Sequence, residues 1–217
     1  MCAILGFTSP SLKKEQVLPY FEKTKSRGPD DTRLEPAGSG MLGFHRLAIM
    51  GLHPEGMQPF HRGGDMAVCN GELYGFRPVK KALEAKGYVF ASDSDCEIIL
   101  PLWQEYGTDM FAGLDAEFAM IIYDSASDSL VAARDPIGIR PLFYGYLADG
   151  SIIFASEAKN LVGLCAHVFP FPPGHYYKDG KFVRYADLTT VTRYSDDDLD
   201  TVTKKIREKL ISAVEKR

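Results

Sequence analysis

The chain opens with the sequence MCAILGF (residues 1–7), in which an apolar run begins directly after a cysteine. A continuous apolar run of this length predicts a buried strand. We therefore expect Cys2 to be anchored at the end of a sheet instead of lying on a frayed chain end. Cysteines are more often small core residues than reactive groups, so the neighbouring sequence has to decide its role.

Further runs of β type follow, at residues 41–49, 66–69, 118–123, 130–133, 142–146, 152–155 and 174–177. Turn-rich stretches at residues 124–129, 148–150 and 178–180 join several of them. Connections this short favour antiparallel pairing. The inventory predicts an α+β fold in which helices lie outside two sheets.

Helices are expected at residues 15–25, 78–86 and 94–106, and the last opens with the S-x-x-E pattern of a capping box over residues 94–97. Pro19 and Pro101 predict a kink or a shifted boundary in two of them. Near the end of the chain, Ser195 can cap an amphipathic helix that carries acidic residues in its first turn and basic residues toward Arg217. Its apolar stripe is expected either to pack on the domain or to meet something beyond residue 217.

Composition narrows the class of protein. Apolar residues make up 45% of the chain and charged residues 25%, as in ordinary globular proteins. The net charge of −4 and the scattered basic residues argue against a nucleic-acid partner. Because no stretch resembles a membrane span or a signal peptide, we expect a cytoplasmic protein with no membrane partner. The spacing of the four cysteines favours neither disulfides nor a structural metal site.

An anchored N-terminal cysteine would bring its own base. Once Met1 is removed, Cys2 gains a free α-amine within hydrogen-bond reach of the thiol or of a bridging water, and the ordinary pKa of an α-amine is about 7.7 to 8.0. This arrangement is a nucleophile paired with its base. While Met1 is present, that nitrogen is an amide and the base is lost.

Four further residues could serve amide chemistry, and each assignment has an ordinary alternative. Asn70 and Gly71 combine the two donor types of an oxyanion hole, although Asn-Gly is also a common hairpin turn. Arg46 could hold a substrate carboxylate or could simply form a salt bridge. Asp95 could hold a substrate ammonium group or favour a helix dipole. Spacing alone leaves these alternatives open.

Together, eight runs resemble the class II, N-terminal-nucleophile glutamine amidotransferase domain, and most closely that of glutamine-dependent asparagine synthetases. They are MCAI (residues 1–4), RGPDD (27–31), HRLAI (45–49), NGELY (70–74), SDCE (94–97), RDPIGIRPL (134–142), ASEAK (155–159) and PPG (172–174). They cover roughly residues 2–190 in family order. Gly75 departs from the family pattern, in which Asn is frequent, but it lies outside the proposed contacts.

The resemblance implies an Ntn-hydrolase fold, a four-layer αββα sandwich with two antiparallel sheets. It implies that Cys2 attacks the side-chain amide of L-glutamine, with Asn70 and Gly71 as the oxyanion hole. Arg46 is similar to the residue that holds the α-carboxylate, while Asp95 and Glu72 correspond to residues near the α-amino group. Leu47 and Ile49 would add backbone contacts. No metal or cofactor is implied for this domain.

The resemblance also implies a partner domain. Residues 2–190 would form the glutaminase domain, and residues 191–217 a linker and the first helix of a synthetase domain C-terminal to residue 217. ATP, Mg²⁺ and the conversion of aspartate to asparagine belong to that missing domain. A stand-alone glutaminase is the alternative. The sequence does not fix the oligomeric state, and a homodimer is compatible with it.

Two other functions compete with this interpretation. A docking or regulatory domain could keep the sandwich without turning over glutamine, although the joint presence of Cys2, Arg46, Asn70, Gly71 and Asp95 argues against it. An N-terminal-nucleophile hydrolase for another amide would leave Arg46 and Asp95 without a zwitterion to bind, since an acyl chain calls for an apolar pocket. Amidotransferases of sugar, purine or glutamate synthesis are a further alternative. The sequences NGELY and SDCE favour the asparagine synthetase branch.

Overall fold

The computed structural model describes residues 1–216 of the 217-residue chain. Its contacts divide the chain into one large unit, Met1–Ala186, and a smaller unit that begins at Asp187. The large unit contains twelve strands and four of the five α-helices described.

The strands are β1 (Ala3–Thr8), β2 (Asp31–Ala37), β3 (Gly40–Arg46), β4 (Phe60–Arg62), β5 (Asp65–Leu73), β6 (Ala116–Asp124), β7 (Ser129–Arg134), β8 (Phe143–Tyr146), β9 (Ile152–Ala155), β10 (Val168–Pro170), β11 (His175–Lys178) and β12 (Lys181–Arg184). The helices are α1 (Lys14–Phe21), α2 (Phe76–Ala85), α3 (Ile99–Tyr106), α4 (Met110–Gly113) and α5 (Leu199–Lys216). Short 3₁₀ turns include Glu22–Arg27 and Asp95–Ile98.

Two six-stranded antiparallel sheets form the centre of the large unit. The first has the strand order β10-β8-β9-β1-β3-β2, and the second has the order β12-β11-β7-β6-β5-β4. The three expected short connections join β6 to β7, β8 to β9 and β11 to β12, and all three pairs are antiparallel. Strand β1 pairs with β3 along one edge and with β9 along the other, so it lies in the interior of the first sheet.

Alternation along β1 divides its side chains between two layers of the core. Ile4 packs in the cluster between the two sheets, whereas Leu5 and Phe7 pack on the opposite face against Val17 and Phe21 of α1. A period of two is what a strand imposes on its side chains. The first sheet is therefore covered by helix α1 outside and by the second sheet inside.

Strand β5 divides its side chains in the same way. Ala67, Cys69 and Leu73 pack under helices α2 and α3, while Met66 and Val68 face the first sheet. The two sheets with helices outside each confirm the expected four-layer αββα sandwich.

Several local expectations were wrong. The helix expected over residues 15–25 ends at Phe21, and Glu22–Arg27 forms a 3₁₀ turn instead; this is the shifted boundary that Pro19 predicted. The helix expected from residue 94 begins only at Ile99, which places Pro101 in its first turn, where proline is tolerated. The capping box is not formed, because the Glu97 carboxylate turns back to accept the N–H groups of residues 91 and 92 at 2.7 and 2.8 Å.

The smaller unit consists of a segment without regular secondary structure and helix α5. Ser195 does not cap this helix; the Asp198 carboxylate accepts the N–H of Thr201 at 2.8 Å, so the helix begins three residues later than the sequence suggested. None of the helices within residues 1–216 combines the length and the apolar content that a bilayer crossing requires.

Candidate active site

Cys2 lies where two strands of the first sheet meet. Antiparallel pairing of Ala3 with His45 brings the start of β1 beside the end of β3. There the Leu47 N–H donates to the Cys2 Sγ at 3.4 Å, and the Leu47 carbonyl oxygen lies 3.6 Å from the same sulfur. The thiol is thus held in one place by backbone that immediately follows Arg46, as the anchored strand predicted.

Arg27 contacts the backbone of Cys2, and the sequence analysis assigned this arginine no role. Its Nε donates to the Cys2 carbonyl oxygen at 3.1 Å, and its Nη1 forms an ion pair with Glu157 at 2.7 Å. In the sequence, the RGPDD and ASEAK motifs served only as family markers. Arg27 and Glu157 from these two motifs form an ion pair next to Cys2, which indicates that the pair fixes the backbone that carries the thiol.

Burial raises the pKa of the Cys2 thiol above its ordinary value. The hydrogen bond from Leu47 and the positive charges of the N-terminus and Arg140 oppose this effect without cancelling it. Because the thiolate is the nucleophilic form, attack from this site needs a base that takes the proton. The chain as it stands begins with Met1, so the Cys2 nitrogen is in a peptide bond.

Asn70 places an amide group in the same region. Along β5 it follows Met66 and Val68 at a spacing of two, so its side chain points between the sheets toward the layer that contains Cys2. Asn70 is only 2% exposed, and its Nδ2 finds no hydrogen-bond partner among the described residues. A buried donor without a partner is costly, which suggests that it serves a group absent from the resting protein.

The Gly71 N–H is directed to the edge of β5 that faces away from β6, beyond the residues that pair with β4. On that edge the Cys69 N–H donates to the Gln58 side chain at 2.6 Å, and the Leu73 N–H donates to the Asp95 carboxylate at 2.7 Å. Because alternate residues of a strand direct their N–H groups to one edge, Gly71 lies between these two contacts with its N–H on the same side. A side chain here would meet a backbone oxygen of β6 at 2.6 Å, so only glycine fits.

Arg46 is buried beside Cys2, with 7% exposure. Its Nη1 donates to the His53 carbonyl oxygen at 3.3 Å, and its Nη2 donates to the Gly51 carbonyl oxygen. The loop after β3 therefore fixes the plane of the guanidinium group. A salt bridge, the ordinary alternative, is not observed for Arg46 within residues 1–216, so its charge is free to meet an anion.

Two carboxylates, Glu72 and Asp95, line the same pocket as Arg46. Burial raises the pKa of Asp95, against the opposing effect of the hydrogen bond from the Leu73 N–H. Burial also raises the pKa of Glu72, and the nearby Asp95 adds to that rise. Two acidic groups that disfavour each other's ionisation are stabilised by a cation placed between them.

One pocket collects all the candidates. Its lining includes all eight sequence-derived residues, namely Cys2, Arg46, Leu47, Ile49, Asn70, Gly71, Glu72 and Asp95. It also includes Met50, Gln58 and Arg140, which sequence reasoning did not single out. Arg140 lies in the RDPIGIRPL motif. It is the one charged residue within residues 136–142, and this isolated charge was the signal that the sequence offered. The pocket thus combines a thiol, amide donors, cationic guanidinium groups and two carboxylates.

The loop that carries Arg140 is held by one buried side chain, Asp135, which is 1% exposed. Its carboxylate accepts five backbone N–H groups at 2.6 to 3.3 Å, from residues 118, 137, 138, 139 and 140.

An asparagine in place of Asp135 would turn an NH₂ group toward some of these donors. We expect Asp135→Asn to lower the free energy of unfolding by about 2 kcal/mol, as measured by urea denaturation. An unchanged midpoint would show that the carboxylate is not needed.

Comparison with known proteins is consistent with this geometry. Residues 1–176 match the family model described as "Glutamine amidotransferase domain". This chain belongs to the glutamine amidotransferase family. It is 38% identical over 194 residues to a probable glutamine-hydrolysing asparagine synthetase of Dictyostelium discoideum, covering 85% of this chain and 35% of that protein. It is 39% identical over 188 residues to an asparagine synthetase of Sandersonia aurantiaca, covering 84% and 35%.

The amidotransferase chain therefore spans about a third of the length of these curated relatives. Among solved structures, it resembles glutamine phosphoribosylpyrophosphate amidotransferase from B. subtilis, with a TM-score of 0.68, 20% identity, and coverage of 85% of this chain and 49% of that one. That likeness supports the sandwich fold.

Proposed function

We propose that this amidotransferase domain hydrolyses the side-chain amide of L-glutamine to glutamate and ammonia through a thioester on Cys2. One observation carries the proposal. A single pocket holds the Cys2 thiol, the unsatisfied Asn70 amide and, on its walls, the Arg46 guanidinium and two carboxylates. Glutamine presents the complementary set, namely a side-chain amide with an α-carboxylate and an α-ammonium group.

The reaction needs the α-amine of Cys2 to be free. That amine accepts the thiol proton as Sγ attacks the amide carbon, and the carbonyl oxygen becomes an oxyanion that accepts hydrogen bonds from Asn70 Nδ2 and the Gly71 N–H. The protonated amine then gives its proton to the leaving nitrogen, which departs as ammonia. Water attacks the thioester next, and its proton passes through the same amine back to the sulfur as glutamate leaves.

Recognition of the amino acid would rest on charge. Arg46 would bind the α-carboxylate, and Glu72 with Asp95 would bind the α-ammonium group, each pair being stronger in a pocket shielded from water. Leu47 and Ile49 would supply backbone contacts. The alternative of a different amide substrate is disfavoured, because a simple acyl chain leaves these three charged groups without partners.

The direct test is glutamate release from L-glutamine by a preparation whose intact mass shows that Cys2 is the first residue. L-asparagine, with the same α-groups but a shorter side chain, serves as a matched control and should be hydrolysed far more slowly, since its amide cannot reach both Sγ and the oxyanion donors. A processed chain that binds glutamine without turnover would support the docking alternative instead.

Arg46→Lys is expected to raise the KM for glutamine about tenfold with a smaller fall in kcat, because lysine keeps the charge but loses the planar fork for a carboxylate. Steady-state kinetics would separate the two constants. Arg33→Lys provides a control, since Arg33 pairs with Glu35 on strand β2 outside the pocket. A fall confined to kcat would show that Arg46 does not act in ground-state binding.

In the wider proposal, the ammonia serves an ATP-dependent conversion of aspartate to asparagine by a synthetase domain. The curated relatives named as asparagine synthetases support this acceptor. ATP and Mg²⁺ would belong to that domain, and the glutaminase reaction itself would need no cofactor. A cytoplasmic location is part of the same proposal, supported by four cysteines that form no disulfide within the described residues.

A further inference from the structure

Two glutamates lie directly opposite each other on neighbouring strands, and one of them, Glu72, lines the pocket. In the register of β5 with β6, Glu72 pairs directly with Glu117, so both side chains leave the sheet on the same face. Like charges in this position destabilise a sheet. Asp95 adds a third carboxylate to the neighbourhood of Glu72. The arrangement needs a nearby cation.

Arg140 is that cation. Its Nη2 contacts the Glu117 carboxylate at 2.7 Å, with the two side chains 11% and 16% exposed. It also lines the pocket, and its buried Nε has no hydrogen-bond partner within residues 1–216. The Asp135 carboxylate fixes its backbone by accepting the Arg140 N–H at 3.1 Å. The guanidinium is thus placed beside the carboxylates by a rigid loop.

We propose that Arg140, held by Glu117, is a positioning residue that determines specificity for α-amino acids by compensating the negative charge of the Glu72–Glu117 pair, which leaves the Glu72 carboxylate to bind the substrate's α-ammonium group. This inference rests on the proposed function, since it assigns a role within the same pocket. Arg140 acts on specificity through Glu72. Its charge also opposes the rise in the pKa of the Cys2 thiol, so specificity has to be tested by binding in the absence of turnover.

The charges around Glu72 give the sign of the expected effect. Burial, Asp95 and Glu117 all raise the pKa of Glu72, and Arg140 lowers it. The other ionisable groups that line the pocket are Cys2, Arg46, Cys69, Cys96 and the N-terminus at Met1. Loss of Arg140 therefore raises the pKa of Glu72, so that the carboxylate becomes neutral at a higher pH. Loss of the Glu117 charge shifts the pKa of Glu72 in the opposite direction.

The test measures binding in a Cys2→Ala background, where no turnover occurs, by calorimetry between about pH 5 and 8. The ligands are L-glutamine and glutaramate, which lacks only the α-ammonium group. Arg140→Gln is expected to weaken glutamine binding several-fold more than glutaramate binding, and the difference between the two ligands should grow toward the acid end of this range. Arg140→Lys should remove most of this difference. Equal weakening of both ligands would overturn the proposal.

Glu117→Gln provides a second, opposite test, because its amide oxygen can still accept the hydrogen bond from Arg140. Glutamine binding should then persist to lower pH than in the Cys2→Ala parent, whereas a general loss of structure would weaken binding at every pH. Arg33→Gln controls for the loss of an arginine outside the pocket. If the Cys2→Ala parent binds no glutamine and the unsubstituted chain releases no glutamate, the proposed function fails. If glutamine binds with the same affinity in the Arg140 variants as in the parent, only this inference is rejected.

Discussion

Replacement of Cys2 by alanine is expected to lower glutamate release from glutamine by about a thousandfold or more, because the covalent intermediate cannot form. The substitution removes only one weakly hydrogen-bonded sulfur, whose contacts are with Leu47 at 3.4 and 3.6 Å. Thermal stability and glutamine binding should therefore change little. Release of glutamate and the midpoint of unfolding, measured on the same sample, separate loss of chemistry from loss of fold.

The state of the N-terminus provides the matched control for Cys2. A preparation in which Met1 is retained keeps the thiol but lacks the free α-amine, so it should be as inactive as the alanine variant. Burial raises the pKa of the thiol, which makes the missing base more important. Equal activity of the retained and processed forms, with masses verified before and after the assay, would rule out the N-terminal mechanism.

The fold was predictable where the chain repeats a simple pattern. The apolar run after Cys2 predicted a buried strand, and β1 is covered by the second sheet on one face and by α1 on the other. Short turn-rich stretches predicted the three hairpins. The strand β2 was missed because Glu35 and Pro36 break its apolar pattern, although it pairs with β3 along its whole length. Only Leu34 and Ala37 of β2 are buried apolar residues, so this strand leaves a weak signal in the sequence.

The sequence indicated residues that line the candidate pocket, but it did not indicate the residues that hold them in place. Cys2, Asn70 and Arg46 each carry a functional group that suits amide chemistry, and the family resemblance selected them. Arg27 and Arg140 were missed because their contacts join distant segments, Arg27 to Glu157 and Arg140 to Glu117. Spacing in sequence cannot show such pairs. Asp95 lines the pocket although the capping box expected around it is not formed, since its carboxylate accepts the Leu73 N–H of β5.

Asn70→Ala is expected to reduce kcat about a hundredfold to a thousandfold with little change in KM, as for loss of one oxyanion donor elsewhere. The reason is that its Nδ2 meets a partner only when the oxyanion forms; in the resting protein that donor has none among the described residues. Removing it therefore costs no hydrogen bond of the folded state, and the unfolding temperature should hold or rise.

Gln58→Ala offers the contrasting case for Asn70. Its amide already bonds both the N–H and the carbonyl oxygen of Cys69, at 2.6 and 3.2 Å, so it is a satisfied structural amide in the same pocket. Its loss should lower the unfolding temperature, because two backbone groups of β5 then lose their partners. If Asn70→Ala instead destabilised the fold while kcat stayed within about tenfold, the amide would be structural and the oxyanion would depend on other donors.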